Sequence, residues 1–261
     1  VHNRCLRLEH LRPAVDEVEI DNTWRLQCAE GDTTSTFAAR DLAEFLQAAM
    51  GITPALETAS GPVLLLGVDP ALAVKSPEAH RVSVSPREVA VTGATPPALL
   101  QGVFFLEGLM RTRRAPFLSL GVHERSPLFE RRIHRSPLST FITEELVGIS
   151  GPPFSADVPG KPLIYTGWTH SDAGPDAFYH DNILSRLAHD GMNGLWIRGG
   201  LSAYSRVAAF PEFGERSDEI LAALRRLCER AARYGISVYL FFNEPLGFPA
   251  NSDFWERHPE C

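Results

Sequence analysis

The sequence contains few of the residue combinations that form compact catalytic or metal-binding motifs. Its four cysteines are scattered, and their spacing fits no zinc or redox motif. No Ser/His/Asp triad context and no glycine-rich phosphate-binding loop is recognisable. We therefore predict no metal site and no cofactor, and we interpret the cysteines as small buried or free thiols. They are Cys5, Cys28, Cys228 and Cys261.

Long apolar runs and basic runs are also missing. The longest apolar stretches, "VLLLGV" and "VYLFF", are far shorter than the ~20 residues of a membrane span. The formal net charge is −7, and Lys and Arg form no continuous run. These features argue against a nucleic-acid partner and against a membrane partner. With 261 residues, 44% of them hydrophobic, the chain can form a globular core in one or two domains.

The two ends of the chain indicate a piece of a longer protein. The sequence begins at Val1 without a methionine or a signal-peptide pattern, and it stops inside "DFWERHPEC". We therefore expect a fragment, and the compartment stays unknown, with secretion or a periplasmic location both compatible. The oligomeric state is equally unknown.

The first half has the pattern of a small α/β unit. Alternating apolar residues predict strands around residues 17–29, and "GPVLLLGV" and "HRVSVSPREVAVTG" predict three more. Helical spacing of apolar residues predicts helices over 34–51 and 95–114. Thr95 is the expected N-cap of the second helix, with prolines in its first turn. The resulting order is strand, helix, three strands, helix.

The second half alternates strands with helices, which predicts parallel strand pairing. "GLWIRG" and "ISVYLFF" are the clearest strands, and a helix is expected over Asp218–Tyr234. Long loops after each strand are typical of a (β/α)8 barrel. Only 132 residues (261 − 129) run from Glu130 to Cys261, whereas a whole barrel needs ~200–250 residues. The fold class we predict is α/β: a small N-terminal α+β domain followed by an incomplete (β/α)8 barrel of about three βα units.

Residues 34–113 resemble the non-catalytic α/β domain that precedes the barrel in glycoside hydrolase family 20, the β-N-acetylhexosaminidases. The resemblance lies in the order of "LAEFLQAAMG", "VLLLGV", the strand pair and "GVFFLEGLM". A related domain precedes the barrel of family 67 α-glucuronidases. The resemblance implies an N-terminal α/β domain over residues 1–120 and the first part of a glycosidase barrel over residues 121–261.

The predicted start of the barrel resembles that of family 20 but differs from it at several residues. An arginine of the family's first strand grips sugar hydroxyls; Arg132 is its nearest match here, and Arg135 is the alternative. The family's "N.LH.H..D" strand corresponds to "MNGLWIRGG", and its "PEiDmPGH" strand end to "YLFFNEPLGF". Because the family's histidines and acids are replaced, the resemblance implies a divergent glycosidase. The family's Asp-Glu catalytic pair follows its fourth strand, which would lie beyond Cys261.

Several residues at strand ends and in loops suit a sugar site. Asn243 and Glu244 end a buried parallel strand, where barrel enzymes contact substrate, and Glu244 is the candidate catalytic carboxylate. The alternative is that both cap a turn before a proline. Arg198 either reaches a cleft or lies on the surface before a glycine pair. Trp196 is either a stacking platform or a core residue. His170 lies in the aromatic segment "YTGWTHSD", which suits carbohydrate stacking or a self-packed loop.

Three functions remain open from the sequence. The first is the N-terminal part of a glycoside hydrolase acting on O-glycosidic bonds, inactive by itself, whose partner is an oligosaccharide or glycoside substrate. The second is a complete carbohydrate-binding or structural α/β module without catalysis. The third is a non-hydrolytic barrel enzyme such as an isomerase or lyase.

Overall fold

The computed structural model describes most of the chain, in two compact units. The described residues are 2, 4–29, 31–56, 61–135, 179–199, 204–211, 213–215, 217–242 and 254–261. The first unit comprises Val1–Arg132, Ser185–Gly191 and Ala232–Gly235. The second unit comprises Ile133–Leu184, Met192–Ala231 and Ile236–Cys261.

The first unit is built on a six-stranded mixed sheet with the order β3-β2-β4-β6-β5-β8. Its strands are β2 (Arg25–Cys28), β3 (Ala55–Leu56), β4 (Val63–Val68), β5 (His80–Val84), β6 (Glu88–Gly93) and β8 (Gly121–Arg125). A separate antiparallel pair joins β1 (Glu17–Glu19) to β7 (Phe117–Ser119). The expected hairpin around residues 85–87 is present, because β5 and β6 pair antiparallel.

Two long helices of the first unit begin where the sequence supplies side-chain caps. Helix α1 (Thr33–Phe45) starts after Asp32, whose carboxylate accepts hydrogen bonds from the backbone N–H groups of Thr34 and Ser35. It continues into a π-helical turn, Leu46–Met50, that ends at Gly51 in the left-handed conformation. Helix α2 (Pro96–Arg113) starts after Thr95, which caps it as predicted. The expected apolar stripe of α2 is buried: Leu99, Val103, Leu106 and Met110.

Strand β8 extends the first sheet beyond the predicted boundary at residues 120/121. This segment pairs antiparallel with β5 along its whole length. Its sequence "GVHER" forms a largely exposed edge strand, so it lacks the apolar alternation that reveals a half-buried strand. The assignment of residues 1–120 and 121–261 to two evolutionary domains stays a prediction.

The second unit contains a three-stranded parallel sheet with the order β11-β10-β9. Its elements are β9 (Ile133–Arg135), α3 (Asp181–His189), β10 (Gly194–Gly199), α4 (Ser217–Ala232), β11 (Ser237–Phe242) and α5 (Phe254–Arg257). The last turn of α3, from Ser185, belongs to the first unit. A mixed α/β class with parallel pairing in the second half is therefore confirmed, while an incomplete barrel stays a prediction.

The two faces of the parallel sheet differ in exposure. Leu195 and Ile197 are buried on one face. On the alternate positions Trp196 is half-buried and Phe241 is 39% exposed. Strand β11 is an edge strand of this sheet within the described residues. None of the helices that the structure describes is long and apolar enough to cross a membrane.

Candidate functional site

The carboxyl ends of the parallel strands bring several predicted residues together. Arg135, the last residue of β9, pairs in register with Trp196, and Arg198 pairs with Phe241. Strand β11 ends at Phe242, immediately before Asn243 and Glu244 in the sequence. Because strands of a parallel sheet end at the same edge, this edge is where βα loops build sites in α/β enzymes. Asn243, Glu244 and His170 themselves lie outside the described residues.

Arg132 does not lie at that edge. It immediately precedes β9, so it stands at the amino end of the strand, whereas Arg198 is near the carboxyl end of β10. Its guanidinium pairs with the Glu78 carboxylate at 2.6 Å and donates to the carbonyl oxygens of Gly191 and Phe129. The expectation that Arg132 shares a rim with Arg198 is therefore wrong. Arg135, the alternative, lies three residues further along the chain and ends β9 at that edge.

Aromatic side chains line the more exposed face of the sheet. The rings of Trp196 and Phe241 lie 5.1 Å apart at 31°. Gly194 leaves room for the Tyr239 ring, since a Cβ atom at position 194 would lie 2.8 Å from Tyr239 Cε2. Aromatic rings combine a large apolar surface with defined geometry, and ligand sites are commonly lined by them. This face can therefore hold the apolar side of a sugar ring.

A second cluster of polar side chains is buried in the first unit. His2 comes from the N-terminal segment, Asp41 from α1, Glu107 from α2 and His189 from the last turn of α3. One nitrogen or oxygen of each lies within 4.8 Å of the others. His2 Nε2 and His189 Nε2 each lie 3.1 Å from Asp41 Oδ2, and His189 Nε2 is 3.4 Å from Glu107 Oε2. We call these four residues the buried cluster.

Burial and mutual attraction act in opposite directions on this cluster. Burial raises the pKa of Glu107, and the nearby Asp41 charge raises it further. Burial also opposes ionisation of Asp41, but contacts with His189 and His2 outweigh it and hold the Asp41 pKa well below its usual range. For His189, burial disfavours the cation, yet the two carboxylates outweigh burial and raise its pKa to about 9. The centre of the cluster therefore attracts positive charge.

The buried cluster has no sequence motif because its members are scattered along the chain. Even the closest pair, His2 and Asp41, is 39 residues apart, so no spacing motif exists. One signal was present: Glu107 lies directly after Leu106 in the apolar stripe of α2. A carboxylate in a buried stripe needs a partner, since an unpaired buried charge is costly.

Proteins similar to this chain are found by structure and not by sequence. No family model matches this chain, and no curated protein matches it in sequence. Among solved structures, the chain is similar to a GH138 enzyme targeting pectin rhamnogalacturonan II, with 16% identity and a TM-score of 0.62 over 90% of this chain and 26% of that one. It is also similar to the GH20 β-N-acetylhexosaminidase of Streptomyces coelicolor A3(2), with 13% identity and a TM-score of 0.55 over 88% and 44%.

A third similar structure is the N-acetyl-β-hexosaminidase of Streptomyces plicatus, with 16% identity and a TM-score of 0.55 over 89% of this chain and 44% of that one. The chain thus spans less than half the length of each of these structures. At such identities the likeness concerns the fold alone. A glycoside hydrolase-like fold is confirmed, while membership of family 20 stays a prediction.

Proposed function

We propose that this chain is the N-terminal part of a carbohydrate-active glycoside hydrolase that acts on O-glycosidic bonds. In this proposal the parallel sheet is the beginning of a (β/α)8 catalytic barrel, and the catalytic acid pair lies beyond Cys261. The fold likeness to glycoside hydrolases supports the enzyme class. The share of those structures that the chain spans supports the fragment interpretation.

The observation that carries the proposal is the edge formed by the carboxyl ends of β10 and β11. The register aligns Trp196 with Arg135 on one side and Arg198 with Phe241 on the other. The half-exposed aromatic face ends at this same edge. An aromatic platform beside hydrogen-bonding charged residues is the combination that a sugar needs.

The residues have distinct roles in this proposal. Trp196 stacks on a sugar ring, while Arg135 and Arg198 donate hydrogen bonds to its hydroxyl groups. Asn243 and Glu244, which follow β11 in the sequence, contact substrate, and His170 of the sequence segment "YTGWTHSD" contributes as well. Arg132 has no substrate role, because Glu78 and two carbonyl oxygens engage its guanidinium.

Catalysis requires more than these residues supply. Glycosidases place two carboxyl groups roughly 5–10 Å apart across the scissile bond. Glu244 is the one carboxylate that the sequence assigns to this edge, and three parallel strands do not close a barrel of eight. We therefore expect the 261-residue chain to bind sugar without hydrolysing it.

The test compares two purified proteins on a panel of aryl glycosides. One is the 261-residue chain, and the other is extended by the in-frame coding sequence that follows Cys261. We expect turnover only by the extended protein, lost when the acidic pair after its fourth strand is changed to amides. Hydrolysis by the 261-residue chain that Glu244→Gln abolishes would refute the placement of the catalytic pair. An extended protein that hydrolyses no glycoside would contradict the proposed function.

A further inference from the structure

We propose that the buried cluster of His2, Asp41, Glu107 and His189 is a binding site for one divalent transition-metal ion, best suited to Zn²⁺. The proposal concerns the first unit alone and is independent of the sugar site. It departs from the sequence analysis, which predicted no metal.

The distances within the buried cluster match the edges of a zinc coordination tetrahedron. Zn–N and Zn–O bonds of ~2.0–2.2 Å place neighbouring ligand atoms roughly 3.3–3.6 Å apart. The measured separations are 3.1 Å from His2 and from His189 to Asp41, and 3.4 Å from His189 to Glu107 Oε2. The separation from His2 Nε2 to Glu107 Oε1 is 3.8 Å. The four ligand atoms lie within 4.8 Å of one another, so metal binding would draw the most distant of them together by about 1 Å.

His189 is oriented as a metal ligand is. Its Nδ1 lies 2.7 Å from the Ser185 carbonyl oxygen, which accepts the Nδ1 proton and leaves Nε2 to face the carboxylates. Such a hydrogen bond on the second ring nitrogen orients metal-binding histidines. Phe104 stacks on the ring with centroids 3.8 Å apart, which restrains its rotation.

Two buried atoms of the cluster point inward without a hydrogen-bond partner among the described residues. They are Oε1 of Glu107 and Nε2 of His189. Glu107 is fully buried. Although His189 Nε2 is close to two carboxylate oxygens, neither contact has the angle of a hydrogen bond. A metal ion at the centre of the cluster would coordinate both atoms. Metal coordination, unlike a hydrogen bond, requires no proton between the two atoms.

The donor set selects the metal class. Two imidazole nitrogens and two carboxylates suit Zn²⁺ and its neighbours in the first transition series. Mg²⁺ and Ca²⁺ prefer all-oxygen sites with more ligands. Four protein ligands in a buried place are typical of a structural rather than a catalytic zinc site. Bound metal would therefore fasten the N-terminal segment to α1, α2 and the last turn of α3.

Arg111 competes with the metal. Its guanidinium donates to Nδ1 of His2 at 2.8 Å and lies 3.4 Å from Glu107 Oε2. While Arg111 donates to Nδ1, the proton of a neutral His2 resides on Nε2, the atom that would bind metal. Metal entry thus requires the partly exposed Arg111 side chain to turn away and the His2 proton to move from Nε2 to Nδ1. Because this contact of Arg111 opposes metal binding, Arg111→Gln should strengthen it.

The experiment titrates Zn²⁺ into the chelator-treated chain by calorimetry. The exposed thiols would bind zinc by themselves, so the background carries Cys5→Ser, Cys228→Ser and Cys261→Ser. We expect one ion per chain, and affinity about 100-fold lower in Asp41→Asn and in His189→Gln. Arg111→Gln should bind about 10-fold more tightly. The exposed His10 provides the matched control, and His10→Gln should leave affinity unchanged.

A second measurement keeps the test decisive if a cluster variant does not fold. Co²⁺ added to the unaltered cluster in the same background, with Cys5, Cys228 and Cys261 replaced by serine, should give the intense visible absorption of tetrahedral coordination, which Zn²⁺ then removes. No absorption band, or no saturable Zn²⁺ binding, would overturn the proposal. Equal zinc affinity in the unaltered cluster and in a folded His189→Gln variant would overturn it as well.

Discussion

The apolar strands "VLLLGV" and "VYLFF" look equally buried in the sequence, but the structure places them in different surroundings. In β4 of the first unit, Leu64 and Leu66 are completely buried, and the remaining residues are half-buried. In β11 of the second unit, the described side chains from Val238 to Leu240 are half-buried and Phe241 is 39% exposed. An apolar composition shows that a strand can be buried on both faces. The elements that pack against the strand determine which of its faces are buried in the folded protein.

The largest effect should come from a glycine of the first sheet. A Cβ atom on Gly93 would lie 2.0 Å from the backbone nitrogen of Leu99, so Gly93→Ala must displace α2 from the sheet. We expect a loss of about 4 kcal/mol in the free energy of unfolding, or failure to fold. Gly108→Ala is the control, because nothing lies within 4 Å of that position. It should stabilise α2 by about 0.5–1 kcal/mol. Urea denaturation measures both.

The contrast between the strands can be tested by truncating one side chain in each. Leu66→Ala removes a fully buried side chain of β4 and should cost about 3 kcal/mol. Phe241→Ala removes a larger side chain that is already partly in water, and should cost less than about 1 kcal/mol. Urea denaturation of the two variants under the same conditions gives the ratio of their losses in the free energy of unfolding. Equal losses would mean that the open face of β11 is covered in solution.

The pH dependence of the first unit should depend partly on His80. Burial lowers the pKa of this ring, and the positive charges of Arg125 and Arg132 lower it further, against an opposing effect of Glu78. The folded state therefore prefers neutral His80, and stability is fully present above the unfolded pKa of about 6.5 and lost as the pH falls below it.

We expect His80→Gln to reduce the slope of stability against pH between 7 and 5, by at most about 1.4 kcal/mol per pH unit. Urea denaturation at pH 7, 6 and 5 measures the slope. The exposed His10 is the control, and His10→Gln should keep the original slope. An unchanged slope in His80→Gln would show that His80 titrates alike in both states.

A small effect should also be found at a glycine of the parallel sheet. Gly194→Ala brings a Cβ atom to 2.8 Å from the Tyr239 ring and 3.0 Å from Ile133 Cγ1. Both neighbours are side chains that can move, so we expect a cost of about 1 kcal/mol. The near-ultraviolet circular dichroism of the aromatic face should change as well. A cost as large as that of Gly93→Ala would indicate that this face is as tightly packed as the first sheet.

Much of the fold was predictable because local signals agree with it. Thr95 capped α2 as expected, Gly51 ended the helical segment of α1, and the hairpin around residues 85–87 formed. The pairing of strand β8 with the first sheet escaped notice because an exposed edge strand carries no apolar alternation. A local pattern thus predicts an element well when one of its faces is buried.

The sites were less predictable because they depend on register and on long-range contacts. The family motif fits both Arg132 and Arg135. Arg132 immediately precedes the three-residue strand β9 and Arg135 ends it, so the choice between them decides at which end of the strand the arginine lies. The buried cluster depends on four distant segments meeting, which no spacing rule encodes. Only Glu107, a carboxylate in an apolar stripe, indicated it.

The most direct test of the central claim is calorimetric titration of the 261-residue chain with oligosaccharides first identified on a glycan array. We predict saturable binding that Trp196→Ala weakens at least about 10-fold, since a stacking ring supplies much of the contact area. Leu128→Ala should leave binding unchanged, because Leu128 is 90% exposed in the first unit. Binding that is insensitive to Trp196→Ala, or no saturable binding of any glycan, would contradict a sugar site at this edge.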